Sequence, residues 1–283
     1  MKFSSQEERL DYLVKELCND SIKYRDMIVK KSEKRMIMRA LMNIRMPKPI
    51  SKEFLEVQDE FLQEESRKRG VVQLNDIPTL KVQYGLENKY SNKISIWKGD
   101  ITRLQIDAIV NAANSQMLGC FVPGHMCIDN AIHSFAGLQL RDECNEYMKK
   151  MRIKNKYYDE PTGSAVVTKA YNLLCKYVIH TVGPIVMNYL TDDLKNDLRS
   201  SYRSCLNKAI ENGIKSIAFC CISTGEFHFP NDEAAKIAID EVTKFLSCYY
   251  NKFDRIIFNV FKDYDQEIYE KLLINNFKKW SLI

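Results

Sequence analysis

The sequence lacks a long apolar run. The longest stretch without Asp, Glu, Lys or Arg extends from Ala108 to Ile128, and Asn111, Asn114, Pro123 and Gly124 interrupt it. Such a stretch does not form a membrane-spanning helix. The first residues, MKFSSQEERLDYLVKEL, are charged and lack the apolar h-region of a signal peptide. We therefore expect a cytoplasmic protein without a membrane partner.

A disulfide framework is also absent from the sequence. The nine cysteines are an odd number spread over 283 residues, whereas small secreted scaffolds pair closely spaced cysteines. This favours a reducing, intracellular setting, in which a close group of Cys and His is more typical of a metal site. Hydrophobic residues make up 45% of the chain and charged residues 28%, which excludes a mainly disordered protein.

Several signatures of nucleotide-binding and catalytic proteins are missing. There is no G-x-G-x-x-G and no G-x-x-x-x-G-K-[ST], so neither a Rossmann dinucleotide site nor a P-loop is supported. The H-E-x-x-H of common metalloproteases is absent too. The net charge of +5 is spread along the chain, so we expect no specific nucleic-acid partner.

Two regions differ in hydrophobic pattern, which predicts domains at residues 1–77 and 78–283. In the first, apolar residues recur at helical spacing, Ser5 and Glu8 form a capping box, and Ser51 can cap a later helix. We predict four helices there, one of them over 21–29. Beyond residue 78, short apolar runs alternate with helical stretches, which indicates a mostly parallel sheet covered by helices.

The predicted elements of the second region follow from these runs. The predicted strands are 81–84, 94–97, 108–112, 164–167, 177–181, 217–221 and 256–261. The predicted helices are 128–151, 194–212, 231–249 (with Asn231 as its cap) and 263–277. Ligands of such sheets bind beyond the carboxyl ends of the strands, and the loop Ser223-Thr224-Gly225 there is a candidate diphosphate cradle.

Cys120, His125 and Cys127 are the strongest chemical signal in the sequence. Two thiols and an imidazole are good ligands for one zinc ion, and Pro123-Gly124 can form the turn that brings them together. Three protein ligands leave a fourth position open, as in catalytic zinc sites. Two other interpretations stay open at this point: a distant residue could close the site, or the cysteines could be buried apolar residues.

Asp129 and His133 follow this loop at helical i, i+4 spacing and can share a face. Asp129 could activate a water or simply cap the next helix. Taken alone, His133 is more typical of a satisfied core histidine than of a catalyst.

The combined motifs resemble a macrodomain over about residues 80–277. The resemblance rests on Gly99-Asp100-Ile101-Thr102, on Asp107 to Asn114, on His180 to Pro184 and on Ile222 to Gly225. Cys127-Ile128-Asp129-Asn130-Ala131-Ile132-His133 stands where ordinary hydrolytic macrodomains carry an Asp-Gly-x-Ile-His segment. Their glycine-rich run is replaced here by the Cys/His loop, as in the zinc-dependent branch of protein-ADP-ribose hydrolases.

The resemblance implies a three-layer α/β/α fold with an N-terminal helical extension and an ADP-ribose cleft. Asp100 would accept from the adenine amino group beside Ile101, and Phe261 would pack on the adenine. Ser223, Thr224, Gly225, Glu226 and Phe227 would surround the diphosphate and proximal ribose. Asn111 and Asn114 would bind the distal part of the ligand, beside zinc on Cys120, His125 and Cys127.

The implied activity is removal of mono-ADP-ribose from modified protein side chains, with Asn111 and Asp129 as catalytic residues. Esters of Asp and Glu are the expected linkage. Two alternatives are a non-catalytic ADP-ribose reader and a zinc hydrolase of a nucleotide or peptide. The role of the N-terminal helices is open among covering the cleft, recruiting a partner and extending the core. The oligomeric state is open as well.

Overall fold

The computed structural model describes residues 3–280, and the side chains of residues 3–277. Contacts divide the chain into two compact units. The first comprises residues 3–71, 117–158 and 170–173, and the second comprises residues 72–116, 159–169 and 174–280. Among the residues described, no helix combines the length and apolar character that a bilayer span requires.

The first unit is helical. Its helices are α1 (Gln6–Asn19), α2 (Lys34–Ile44), α3 (Lys52–Lys68), α5 (Ile128–Ala136) and α6 (Leu138–Lys154). The capping box of Ser5 and Glu8 begins α1, and the Ser51 hydroxyl accepts from the Phe54 amide at the start of α3. Both sequence predictions are thus confirmed. A shared core joins the N-terminal helices to α6 and contains, among others, Leu13, Leu41, Phe54, Phe61 and Leu138.

Two predicted helices of this unit are wrong. Residues 21–29 form turns rather than a helix. The predicted helix 128–151 is two helices, because Gly137 adopts φ 97° and ψ 175° between them. Among the methionines of this unit, Met38 and Met42 are buried, whereas Met36 and Met46 are exposed.

The second unit is an α/β domain built on a six-stranded sheet. Its strands are β2 (Ile94–Lys98), β4 (Ala108–Ala113), β5 (Ala165–Lys169), β6 (Tyr177–Val182), β7 (Ser216–Phe219) and β8 (Arg255–Val260). The strand order is β2-β8-β7-β4-β6-β5, and every pairing is parallel except that of β5 with β6. A short parallel pair, β1 (Val72–Gln73) with β3 (Leu104–Gln105), lies outside this sheet.

Helices flank the sheet. They are α4 (Leu80–Tyr84), α7 (Asp192–Glu211), α8 (Asn231–Tyr249) and α9 (Asp263–Trp280). Helix α7 packs on β5 and β6, α9 packs on β2 and β8, and α8 contacts both of these helices. The mostly parallel sheet with flanking helices and an N-terminal helical region confirms the predicted fold class.

Three predictions for this unit are corrected. Residues 81–84 are helical rather than a strand, because Thr79 caps α4 and Gly85 ends it in the left-handed conformation. Strand β7 ends at Phe219, so Cys220 and Cys221 lie beyond it. Asn231 is the first residue of α8, and the cap position is Pro230.

Candidate functional site

The parallel strands of the second unit place five loops along one edge of its sheet. In spatial order these loops follow β2, β8, β7, β4 and β6. The carboxyl-terminal halves of these strands and the loops that follow them contain the predicted ADP-ribose-binding residues. These are Asp100 and Ile101, Phe261, Ser223 to Phe227, and Asn111 with Asn114. This edge is where ligands of parallel α/β sheets bind.

Asp100 follows β2 and caps a short 3-10 turn. Its Oδ1 accepts from the backbone amide of Thr102 at 3.0 Å and from the hydroxyl of Thr102 at 2.6 Å. The preceding carbonyl of Gly99 accepts from Asn259 Nδ2 at 2.9 Å, which ties the turn to β8. Ile101, the first residue of this turn, is buried. The carboxylate of Asp100 is therefore held within its own loop, and the backbone of that loop is tied to the neighbouring strand.

Phe261 follows β8 with 71% of its surface exposed. A large exposed ring at a strand end offers a face on which a nucleotide base can stack. The position agrees with the role that the resemblance implies.

The loop after β7 is wound tightly before α8. Ser223 is buried and has a positive φ of 65°, and its carbonyl accepts from the Phe229 amide at 3.0 Å. The Thr224 hydroxyl donates to the Cys221 carbonyl at 3.0 Å. Gly225 and Glu226 are exposed at the outer part of the loop. Exposed backbone of this kind offers N–H groups to an anion.

This loop also touches the loop after β6. The Val186 amide donates to the Phe227 carbonyl at 2.9 Å. A methyl group on Gly183 would overlap the hydroxyl of Ser223, so only glycine permits the approach of the two loops.

Asn111 lies inside β4 and is fully buried. Its Nδ2 donates to His180 Nδ1 at 3.1 Å, and His180 Nε2 lies 2.9 Å from the hydroxyl of Thr168. Since an amide nitrogen only donates, Nδ1 is the acceptor and the proton sits on Nε2. Burial lowers the pKa of His180 to about 3, so the ring is neutral at neutral pH. Asn114 is less buried, and its Oδ1 accepts from the Gln116 amide at 3.0 Å.

The first unit brings Cys120, His125 and Cys127 together. Their ligand atoms all lie within 4.8 Å of one another, and Cys120 Sγ is 3.6 Å from His125 Nδ1. The predicted turn is present, since the His125 amide donates to the Val122 carbonyl at 3.2 Å and Gly124 has φ 64°. All three side chains are partly buried.

The three residues fit a zinc ion. Tetrahedral Zn²⁺ with its usual bond lengths holds sulfur and nitrogen ligands about 3.5 to 3.8 Å apart. Cys127 Sγ caps α5 and accepts from the Asn130 amide at 3.4 Å, which favours a thiolate. Burial raises the pKa of the Cys127 thiol to about 12, so a cation is needed to keep it ionised at neutral pH.

Asp129 lies in the first turn of α5, one turn before His133. Its Oδ1 is 3.5 Å from His133 Nε2, and both side chains are buried. The cap of α5 is Cys127, so the interpretation of Asp129 as the cap is wrong. Burial lowers the pKa of Arg141 in α6, and the charge of Asp129 opposes that shift.

Comparison with known proteins gives the family. A macro domain model matches residues 110–238. A protein-ADP-ribose hydrolase of Treponema medium is 47% identical over 95% of this chain and 99% of its own length. The chain belongs to the macrodomain family. Because that match covers nearly the whole chain, the relative shares most of the helical N-terminal region as well.

Two further relatives of this macrodomain support the assignment. A protein-ADP-ribose hydrolase of Staphylococcus aureus is 40% identical over 94% of this chain and 96% of its own length. The crystal structure of a Trypanosoma brucei macrodomain in complex with ADP-ribose superposes with a TM-score of 0.61 at 30% identity, covering 83% of this chain and 94% of the other.

Sequence reasoning missed residues that support the macrodomain's Cys/His loop. Arg39 and Asn43 of α2 bond to that loop, and so does Asn130 of α5. The Cys/His spacing is visible locally, whereas Arg39 is 86 positions from His125. No local pattern connects residues so far apart.

Proposed function

We propose that this macrodomain is a zinc-dependent protein-ADP-ribose hydrolase that removes mono-ADP-ribose from modified Asp and Glu side chains. The proposal rests on the cluster of Cys120, His125 and Cys127, whose ligand atoms lie within 4.8 Å of one another; together they would supply three ligands to zinc and leave a fourth position open. The names of the Treponema and Staphylococcus relatives support the hydrolase activity. A reader that only binds ADP-ribose has no need of such a site.

In the proposed complex, ADP-ribose lies along the carboxyl ends of the strands. Asp100 accepts from the exocyclic amine of adenine, with Ile101 beside it, and Phe261 stacks on the base. The loop from Ser223 to Phe227 offers backbone N–H groups to the diphosphate. The Trypanosoma macrodomain solved with ADP-ribose supports this class of ligand.

Asn111 and Asn114 are proposed to bind the distal ribose. Their amides can both donate to and accept from hydroxyl groups. The bond from Asn111 to His180 fixes its amide plane before a ligand arrives. Preorganisation of this kind lowers the entropy lost on binding.

Asp129 is proposed as the group that accepts the proton of the attacking water. Its carboxylate is buried beside His133, which limits its rotation. Zinc held by Cys120, His125 and Cys127 would supply Lewis-acid chemistry, which its two thiolate ligands would weaken by neutralising part of its charge. The products are ADP-ribose and the free carboxylate of the protein.

The test measures zinc content and ADP-ribose release for the wild-type chain and for Cys127→Ala. Proteins modified on Asp or Glu, on Ser and on Arg serve as substrates. We expect the wild type to release ADP-ribose from proteins modified on Asp or Glu. We expect Cys127→Ala to lose both its bound zinc and this ADP-ribose release activity. Cys248→Ala is the matched control, because Cys248 is exposed and lies in α8 of the other unit.

Three outcomes contradict the proposal. A zinc-free Cys127→Ala chain with full activity would remove the role of the metal. Release from Ser or Arg but not from Asp or Glu would overturn the proposed linkage. Binding of ADP-ribose without release from any modified protein would identify a reader.

A further inference from the structure

Side chains from outside the Cys/His loop, residues 120–127, bond to its backbone polar groups. Between Val122 and Cys127 it makes one internal turn bond, from the His125 amide to the Val122 carbonyl. That same Val122 carbonyl, the Gly124 amide and the His125 carbonyl also bond to side chains from outside the segment. The conformation of the loop thus depends on the residues that supply those side chains.

Asn43 of helix α2 holds the turn just before His125. Its Oδ1 accepts from the Gly124 amide at 2.9 Å, and its Nδ2 donates to the Ser134 hydroxyl at 2.9 Å. Asn43 is buried, so both bonds are shielded from water. One side chain from the N-terminal helices thereby joins the loop to α5.

Arg39 lies one helical turn before Asn43 in α2, and its guanidinium group bonds to His125 and to Asn130. Its Nη2 donates to the carbonyl of His125 at 3.1 Å. Its Nη2 and Nε also donate to Asn130 Oδ1, at 2.8 and 3.2 Å. The backbone amide of Asn130 in turn donates to Cys127 Sγ at 3.4 Å. Arg39 therefore bonds one ligand residue directly and a second one through Asn130.

Helix α2 is itself fixed in place. Arg141 of α6 is buried, and its Nη1 donates to the carbonyls of Met42, Asn43 and Arg45 at the end of α2, at 2.7 to 2.9 Å. Its Nε donates to the Leu118 carbonyl at 2.7 Å, just before Cys120. The end of α2 and the start of the loop are thus held by the same guanidinium group.

We propose that Arg39 and Asn43 are positioning residues of the zinc site, and that helix α2 of the N-terminal region serves to preorganise the loop from Cys120 to Cys127. The inference rests on the proposed zinc site. It assigns a role to helices that the sequence left open among three possibilities. Residues that hydrogen-bond to metal ligands and orient them contribute strongly to metal affinity. Removing one such residue typically weakens metal binding about 10-fold to 100-fold.

The test compares zinc affinity, by competition with a chelator, for the wild type and for Arg39→Ala. We expect Arg39→Ala to bind zinc about 10-fold to 100-fold more weakly. The visible absorption of Co²⁺ bound in place of zinc should change as well, because the thiolate and imidazole ligands lose their fixed geometry. The thermal unfolding of the metal-free chains shows whether the fold itself is affected.

Arg35→Ala is the matched control. Arg35 lies on the same helix, but its guanidinium bonds to Glu65 of α3. We expect this variant to keep the zinc affinity and the Co²⁺ spectrum of the wild type. Arg39→Lys keeps the charge but cannot form the forked bond to Asn130, so its affinity should lie between those of Arg39→Ala and the wild type.

Wild-type zinc affinity and an unchanged Co²⁺ spectrum in Arg39→Ala would overturn the inference. If Arg39→Ala does not fold, wild-type affinity in a folded Arg39→Lys chain overturns it equally. These results leave the proposed function intact. A wild-type chain that binds no zinc would instead overturn the proposed zinc dependence, and this inference with it.

Discussion

At the residue scale, Asp100 is the most direct test of the cleft. We expect Asp100→Ala to weaken ADP-ribose binding by roughly 10-fold to 100-fold, since a hydrogen bond to a charged group contributes about 1.5–3 kcal/mol. Titration calorimetry with free ADP-ribose measures this. Asp193→Ala, which removes an exposed carboxylate in the first turn of α7, should bind normally.

Asp100→Asn separates the two tasks of the carboxylate. The amide oxygen can still accept from Thr102 and keep the turn, but the amide nitrogen faces the adenine amine as a second donor. We expect Asp100→Asn to lose affinity for ADP-ribose to the same extent as Asp100→Ala. Affinity within twofold of the wild type in both variants would show that adenine is bound elsewhere.

His180 gives a prediction for pH. Burial lowers its pKa to about 3, whereas an unfolded chain has a histidine pKa of about 6.5. The unfolded chain therefore takes up a proton that the folded chain excludes. This contribution to stability is fully present above about pH 6.5 and is lost as the pH falls toward about 3, by at most about 1.4 kcal/mol per pH unit.

Urea unfolding of the wild type and of His180→Gln, between about pH 7.5 and about pH 5, measures this contribution as a difference in slope. The wild type should lose stability more steeply on acidification than the variant does. Equal slopes would mean that folding leaves the pKa of His180 unchanged.

At the scale of elements, Gly137 decides the path of the chain between α5 and α6. A Cβ there would lie 2.7 Å from Gln58 Nε2 and 2.8 Å from Gln139 Oε1. Gln58 Oε1 also accepts from the Leu138 amide at 3.0 Å, so α3 helps to cap α6. The backbone of Gly137, at φ 97° and ψ 175°, is one that other residues avoid.

We expect Gly137→Ala to lower the free energy of unfolding by about 3 kcal/mol, from backbone strain and from the displaced Gln58. Gly85→Ala is the control, because that glycine has a left-handed φ of 64° but no atom within 4 Å of an added Cβ. Its loss should be nearer 1 kcal/mol. Equal losses in the two variants would show that the contact with Gln58 contributes nothing.

The elements that the sequence predicted well are those whose signals are local and repeated. Helix α1 carries its capping box and its apolar stripe within one segment, and β4 begins with the apolar run from Ala108 to Val110. Residues 81–84 were wrongly predicted as a strand because a run of four residues fits a strand or a helix equally well. The helix forms because Thr79 caps it and Gly85 ends it. The division of the predicted helix at Gly137 was not predicted, because the helical periodicity continues on both sides of that residue.

The same distinction applies to the candidate site. Three candidate metal ligands within eight positions are visible in the sequence, and the strand ends place the loops of the candidate cleft without any side-chain detail. The bonds from Arg39 to His125 and from Asn43 to Gly124 join segments more than 80 positions apart. Only tertiary structure brings such residues together, so periodicity and spacing cannot predict them.

At the scale of the whole molecule, the two parts of the proposed function belong to different compact units. The Cys/His triad, Arg39 and Asn43 lie in the first unit, and Asp100 and the loop from Ser223 to Phe227 lie in the second. A substitution in one unit should therefore weaken only the binding that this unit provides, either of zinc or of the adenine nucleotide. Asp100→Ala should keep its zinc, and Arg39→Ala should keep its affinity for free adenine nucleotides.

Removal and return of zinc in the wild-type chain decide whether ADP-ribose release needs the metal. The metal is stripped with a chelator, circular dichroism checks that the stripped chain stays folded, and zinc is returned in known amounts. We predict that ADP-ribose release from an Asp/Glu-modified protein stops on removal and recovers fully at one zinc per chain. A folded, metal-free chain that releases ADP-ribose at the original rate would contradict the account.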